Sequence, residues 1–352
     1  MRGEDIYGRG ASDNKGQLFA HVKALESYLH TTGALPVNVV CLFEGEEEIG
    51  SPNLGALLTR RSDALQAQVA VLSDTPILAP DRPAVTYSLR GALSLELEVR
   101  GPARDLHSGQ FGGAVHNPLQ ALCEIIATLH DADGRVAIPG FHNRVVEPGE
   151  AELAYMERVG PSDNNILHDA SAERDWGEIE YSLYERTTIR PALTVNGITG
   201  GYAGAGVKAV IPARATAKLN FRLVPRQQPA EVEALVRDHI ARATPPTVRS
   251  TVRTKLLADP AVVNRRLPAV RAAARAYQRG FGVAPVFRRS GGTIPVASML
   301  QRQLGLPVVL MGFALPDDRM HAPNEKFHLP NFRRGIATSV YLLEEMANRS
   351  PQ

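Results

Sequence analysis

Cysteine is nearly absent from this chain. Its 352 residues hold only Cys41 and Cys123, neither with a C-x-x-C neighbour, which leaves no disulfide framework and no cysteine-rich metal site. Both sit in apolar runs and read as core thiols in a reducing compartment. Long hydrophobic stretches are missing as well, since none reaches the roughly 18 to 20 apolar residues of a membrane span. Met1-Arg2-Gly3-Glu4 does not open like a signal peptide, so a cytoplasmic location and no membrane partner are expected. The net charge of +2 supplies no field for nucleic acid. Repeats, low-complexity tracts and blocks of like charge are also lacking, and proline and glycine are scattered as turn markers.

What is present is ordinary for a soluble globular protein, with 44% apolar and 22% charged residues. The length is about twice that of a usual single domain, so two cores are expected. After the Gly8-Arg9-Gly10 turn, Leu18, Val22, Leu25 and Leu29 recur at helical spacing until Gly33 and Pro36 close the segment. Residues 37–43 are short, β-branched and almost wholly apolar, which predicts a strand covered on both faces in a parallel sheet. That run ends at Glu44-Gly45-Glu46-Glu47-Glu48, residues 69–72 end at Ser73-Asp74, and residues 306–311 end shortly before Met320-His321. Open α/β sheets bind ligands beyond the carboxyl ends of their strands, so Glu47, Glu48, Asp74 and His321 are expected to converge.

From Gly91 the pattern becomes strict alternation. Leu93, Leu95, Leu97 and Val99 face one way and Ser94, Glu96, Glu98 and Arg100 the other, as in a half-exposed antiparallel strand. A helix is predicted over residues 117–130, alternating segments near 193–199 and 214–224, and a further helix and strand within 229–257. This β-α-β-β-α-β order predicts a ferredoxin-like α+β domain at residues 86–259. It interrupts an α/β domain of residues 1–85 and 260–352, built on a mixed, mostly parallel sheet flanked by helices. Residues 131–190 carry no clear pattern.

Several polar residues stand where chemistry can be done. Asp13 lies in a glycine-rich turn before a helix, where it can also serve as a simple cap. Glu44, Glu46, Glu47 and Glu48 crowd like charges together; a solvated loop tolerates that, while a divalent cation would relieve it and leave one carboxylate free as a general base. Asp, Glu and His donors without cysteine suit catalytic zinc, manganese or cobalt. His107 sits in Asp105-Leu106-His107-Ser108-Gly109, either an incidental residue of a flexible turn or a transition-state donor. Arg222 lies in an alternating segment, on the wet face of a strand or as a clamp for a carboxylate. Ser290-Gly291-Gly292-Thr293 lacks the Lys and Ser/Thr of a phosphate loop and fits better as backbone donors for a carboxylate.

Taken together, Tyr7-Gly8-Arg9-Gly10-Ala11-Ser12-Asp13-Asn14-Lys15-Gly16, Glu44-Gly45-Glu46-Glu47-Glu48-Ile49-Gly50-Ser51 and Asp105-Leu106-His107-Ser108-Gly109 resemble the carnosinase-like dipeptidase, glutamate carboxypeptidase and aminoacylase family of di-zinc metallopeptidases. The resemblance implies Zn2+, two per subunit, with Mn2+ or Co2+ as substitutes. It implies that Asp13 bridges the metals, that Glu48 and His321 complete one site, that Asp74 serves the other, and that Glu47 is the general base activating a bridging water. His107 would stabilise the oxyanion across a homodimer formed through the inserted domain, acting as lid and dimerisation element. Arg222, Gly291, Gly292 and Thr293 would hold the substrate carboxylate, with Asn196 a further candidate. Family members also carry an earlier Gly-His-x-Asp segment whose His binds metal, and no histidine precedes Asp13 here. An N-terminally truncated catalytic domain with one incomplete site is therefore expected. The implied function is hydrolysis of dipeptides or short peptides; an N-acyl-amino-acid hydrolase, or a non-catalytic homodimer binding metal or an amino acid, are the alternatives.

Overall fold

The computed structural model describes residues 2–348. The fold is mixed α/β, and the chain divides into two compact units. One comprises residues up to Ser88, Ala261–Ser290 and the residues from Ile294 onward; the other is Leu89–Pro260 with Gly291–Thr293.

In the first unit a five-stranded sheet runs in the order Ala261–Val262, Ala84–Leu89, Val308–Met311, Ala70–Leu72, with Val286–Ser290 also paired to Ala84–Leu89. Val308–Met311 is parallel to Ala70–Leu72 and antiparallel to Ala84–Leu89. The parallel pair sends the loops after Leu72 and Met311 to the same rim, as expected from their apolar runs and polar ends. A separate antiparallel pair, Asp5–Tyr7 with Lys326–His328, lies beside that rim and joins the beginning of the chain to the segment after His321.

Helix Lys15–Thr32 stops at Gly33, which takes the left-handed conformation (φ 78°) and returns its N–H to Leu29. Its buried side chains are Gln17, Ala20 and Ala24. The expected face of Leu18, Val22 and Leu25 is half-buried, and Leu29 is exposed. Close approach decides this: a Cβ on Gly16 would lie 2.1 Å from the Ala11 carbonyl oxygen and 2.5 Å from the Phe327 ring, so small residues turn inward.

Residues 37–43 do not form the expected strand. They have no ladder partner among the described residues, and Val39, Val40, Leu42 and Phe43 are exposed. The sheet ends at Ala70–Leu72, and β-branched composition makes a strand only where an edge receives it. Cys41 is consequently exposed, and so is Cys123, against the expectation of two core thiols. Cys123 lies in helix Pro118–Ala127, whose 3.6-residue period turns Pro118, Ala121, Leu122 and Ile125 inward and the thiol outward.

The second unit carries an antiparallel sheet in the order Ala192–Gly200, Arg214–Leu223, Gly91–Arg100, Arg249–Ala258. With helices Pro118–Ala127 and Pro229–Ala243 between its strands, this is the ferredoxin-like β-α-β-β-α-β arrangement. Leu93, Leu95, Leu97 and Val99 share one core with Leu122, Ile125, Val232, Val236 and Ile240. On the other face Glu98 is buried rather than wet, because Arg100, Arg214 and Arg253 gather over it. Residues 131–190 contain helices Glu150–Val159, Asp163–Ala170 and Leu183–Thr188, the last begun by a Ser182/Glu185 capping box. No helix among the described residues is long and apolar enough to cross a membrane.

Candidate metal centre and carboxylate pocket

Asp13 ends a loop, residues 8–13, that is wired from beneath. The Glu325 carboxylate, 3% exposed, accepts the backbone N–H groups of Gly10 (2.9 Å), Ser12 (3.0 Å) and Asp13 (2.9 Å). Burial alone pushes the Glu325 carboxyl up, but these donors, together with Arg9, hold it below its ordinary value. The Ser12 hydroxyl donates to buried Asp318 at 2.7 Å, and Gln17 donates to the Ser12 carbonyl. Asp13 is therefore not spent as a cap: Asn14 takes the cap position of the following helix, with no side-chain cap bond, and donates instead to Asp74 and to the Ser73 carbonyl, both at 2.6 Å. The Asp13–Asn14 peptide is cis.

The acidic run divides its labour locally. Glu44 accepts from the Ser51 hydroxyl and Glu46 from the Asn53 side chain, folding the turn Glu47–Ile49 and leaving Glu47 and Glu48 for the rim. Glu48 is gripped by Arg9 and by His321. His321 stands in a loop where Arg319, His321 and Asn324 all adopt positive φ, a strained backbone of the kind that collects at functional sites.

His321 Nε2 lies 2.6 Å from Asp13 Oδ2 and 3.0 Å from Glu48 Oε2. One donor atom from each of the three residues lies within 4.8 Å of the others. A carboxylate pair and an imidazole at such distances match the oxygen and nitrogen donors that a divalent cation takes. Asp74 stands outside this trio but is tied to it through Asn14. Burial, then the charges of Asp13, Glu47 and Glu48, push its carboxyl up to about 7 against the pull of Asn14. The Asp13 and Glu47 carboxyls are raised in the same way, by burial first and then by neighbouring carboxylates. A cation would relieve that crowding.

In the second unit, Arg222 Nη1 donates to the Thr293 hydroxyl at 2.7 Å, and Gly291 and Gly292 precede Thr293 on the same short segment. Among the described residues the side chains of Asn196 and His107 have only local hydrogen-bond partners. Asn196 accepts from Thr194 at a bulge of the edge strand. His107 Nδ1 accepts the Gly109 N–H at 3.0 Å, which in the neutral ring leaves the proton on Nε2.

Sequence reasoning missed Glu325, Asp318 and Asn14. Only Asn14 had a signal, its place beside Asp13; nothing in the chain marks Glu325 or Asp318 as buried.

Carboxylate and imidazole donors gathered at one rim of an α/β unit, in a chain that also carries a ferredoxin-like unit, fit a metallopeptidase. The chain belongs to peptidase family M20/M25/M40, whose profile matches residues 2–345, and divalent-metal binding comes with that membership. It is 32% identical over 362 residues to the Cys-Gly metallodipeptidase dug1 of Schizosaccharomyces pombe, covering 98% of this chain and 74% of that protein. It is 32% identical over 347 residues to the human Beta-Ala-His dipeptidase, covering 97% of this chain and 68% of that one. Among solved structures, the M20 family metallo-carboxypeptidase Sso-CP2 from Sulfolobus solfataricus superposes with a TM-score of 0.88 at 30% identity, over 99% of this chain and 79% of that one.

Proposed function

We propose that this enzyme hydrolyses dipeptides, or the last bond of short peptides, that end in a free carboxylate. The observation that carries the reading is the convergence of Asp13, Glu48 and His321 with Glu47 beside them. These three would hold a divalent cation, which we assign as zinc, with manganese or cobalt suited to the same donors. When bound, the cation acidifies water and polarises a carbonyl. Glu47 takes a proton from the attacking water and passes it to the departing amine. Its raised proton affinity, from burial and then from Glu48, Asp13 and Glu44, brings it nearer the working pH than an ordinary glutamate. His107 donates Nε2–H to the developing oxyanion, and Arg222 with Thr293 binds the substrate carboxylate.

Cys-Gly and β-Ala-His, named by the relatives, are the first substrates to try. Glu47→Gln should retain its metal and lose roughly 10²- to 10⁴-fold in turnover; undiminished cleavage by that variant rejects the assigned base. Metal analysis of this chain should find one tightly held ion, because one trio of donors converges among the described residues. A second stoichiometric ion would mean that the Asp74 side finds further ligands. The edge strand Ala192–Gly200, with exposed Ile198 and one backbone edge unpaired among the described residues, supports a homodimer formed through the second unit, to be tested by sedimentation.

A further inference from the structure

The second unit buries two arginines and treats them differently. Arg190, 5% exposed, meets Glu178 at 2.5 Å and Glu147 at 3.5 Å and lies over the Tyr181 ring. Arg90, 9% exposed, has no acidic partner among the described residues. Its Nε donates to the Gly291 carbonyl at 3.0 Å, and its Nη1 to the carbonyls of Arg190 at 3.3 Å and Arg186 at 3.4 Å. The charged group that acts on it is another cation, Arg222, and burial followed by that repulsion brings the Arg90 guanidinium down to about 10. Arg222 is itself half-buried, bonded to Thr293 and likewise without an acidic partner among the described residues.

Two neighbouring, desolvated cations with no anion beside them among the described residues are costly to bury. Carbonyl oxygens satisfy the N–H groups of Arg90 but leave its charge uncompensated. The fold nevertheless grips it tightly. The Arg90 backbone N–H donates to the Gly292 carbonyl at 3.1 Å, so main chain and side chain together hold successive carbonyls of one segment. A Cβ on Gly291 would lie 2.3 Å from the Thr187 carbonyl oxygen and 3.0 Å from Arg90 Nη2, so the segment approaches this closely only as glycine. The next residue but one, Thr293, is thereby set against Arg222.

We infer that Arg90 is a specificity-determining positioning residue: by clamping Gly291–Thr293 against Arg222 and adding a second, uncompensated cation, it makes the enzyme require a free α-carboxylate on its substrate. The inference rests on the peptidase reading above and names the feature of the substrate that this pocket selects. Arg90 does not touch the substrate. Its fork fixes the partner of the residue that does, and its charge makes a neutral terminus a poor replacement, because a site built around a polar group rejects an analogue lacking it.

The test compares alanylglycine with alanylglycinamide in the metal-replete wild type, Arg90→Met and Arg90→Lys. The wild type should favour the free acid by about 100-fold in kcat/KM. Arg90→Met should shrink that ratio to below about tenfold by raising KM for the acid at nearly constant kcat, leaving the amide changed by less than about threefold. Arg90→Lys keeps a charge but cannot hold three carbonyls, so it should lose about tenfold of the preference. Equal losses on both substrates, or an unchanged ratio in either variant, overturn the assignment. Should Arg90→Met fail to fold, the lysine variant decides alone. If the wild type cleaves neither compound, the peptidase reading fails, and calorimetric titration with the same pair then judges Arg90. Tighter binding of the acid, lost in the variant, supports it; equal binding by the wild type refutes it.

Discussion

Two loops deliver carboxylates to the same rim, and they are built in opposite ways. The Asp13 loop is stitched from below by buried Glu325 and Asp318, with every bond internal to the protein. The Glu47–Glu48 turn is held by its own backbone bonds, by a partly buried bond from Ser51 and by exposed bonds from Asn53, follows an apolar run with no ladder partner among the described residues, and presents Glu48 to Arg9 and His321. One proposed ligand, Asp13, is therefore placed by buried bonds, while the other, Glu48, is held by charge. A site assembled this way keeps a fixed reference point and an adjustable partner.

The sharpest way to break the contrast is Glu325→Ala. It strands three N–H groups, two of them buried and one partly buried, each costing about 1–3 kcal/mol when buried and unsatisfied. The loss should appear as a large fall in the unfolding midpoint and a roughly 10- to 100-fold weaker metal affinity, as for other groups that orient ligands. Glu46→Ala, which removes only exposed bonds in the other turn, should cost under about 1 kcal/mol. Equal effects from the two substitutions would erase the distinction between the loops.

The same contrast sets a pH dependence for the metal-free protein. Asp74 rises from an ordinary 3.8 to about 7 in the folded state. Its contribution to stability is therefore complete below about pH 4 and is lost as pH climbs through about 7, by up to a few kcal/mol. Glu325 is shifted downward, so its contribution is present above the ordinary carboxyl range and disappears in acid. Chemical denaturation of metal-free protein between pH 4 and 8 should thus show stability falling with rising pH, and Asp74→Asn should flatten the slope. A slope unchanged in that variant would assign the effect to other carboxylates. Metal should also flatten it, by supplying the charge the cluster lacks.

How much of this was legible in the chain depended on whether a residue's surroundings were local. Alternation over Gly91–Arg100 announced its strand, because period and partner agree there: every residue from Ala92 to Arg100 pairs on both sides, with Arg214–Leu223 and Arg249–Ala258. Residues 37–43 carry an equally strong apolar signal and form no strand, since composition does not reveal whether an edge is available. Asp13 and Glu48 stood out in short motifs and His321 by its place after an apolar run, whereas Glu325 had no signal, because its burial goes with a pairing, Asp5–Tyr7 with Lys326–His328, that spans nearly the whole chain. Arg90 escaped for the same reason, its partners lying about 100 and 200 residues away.

The smallest expected effect tests the weak side of the comparison. Val40 is 54% exposed and lies in a run with no ladder partner among the described residues. Replacing it with threonine removes little buried area and breaks no backbone bond, so the unfolding free energy should move by no more than about 0.5 kcal/mol. Metal affinity should not change, since residue 40 belongs to a run with no ladder partner among the described residues and lies outside the Glu47–Ile49 turn. If Val40→Thr instead costs more than about 1 kcal/mol, comparable to deleting a buried methyl group, the run is packed in solution. The Glu47–Glu48 turn would then be anchored from behind as firmly as the Asp13 loop, and its adjustability would have to come from the glutamate side chains rather than from the backbone that carries them.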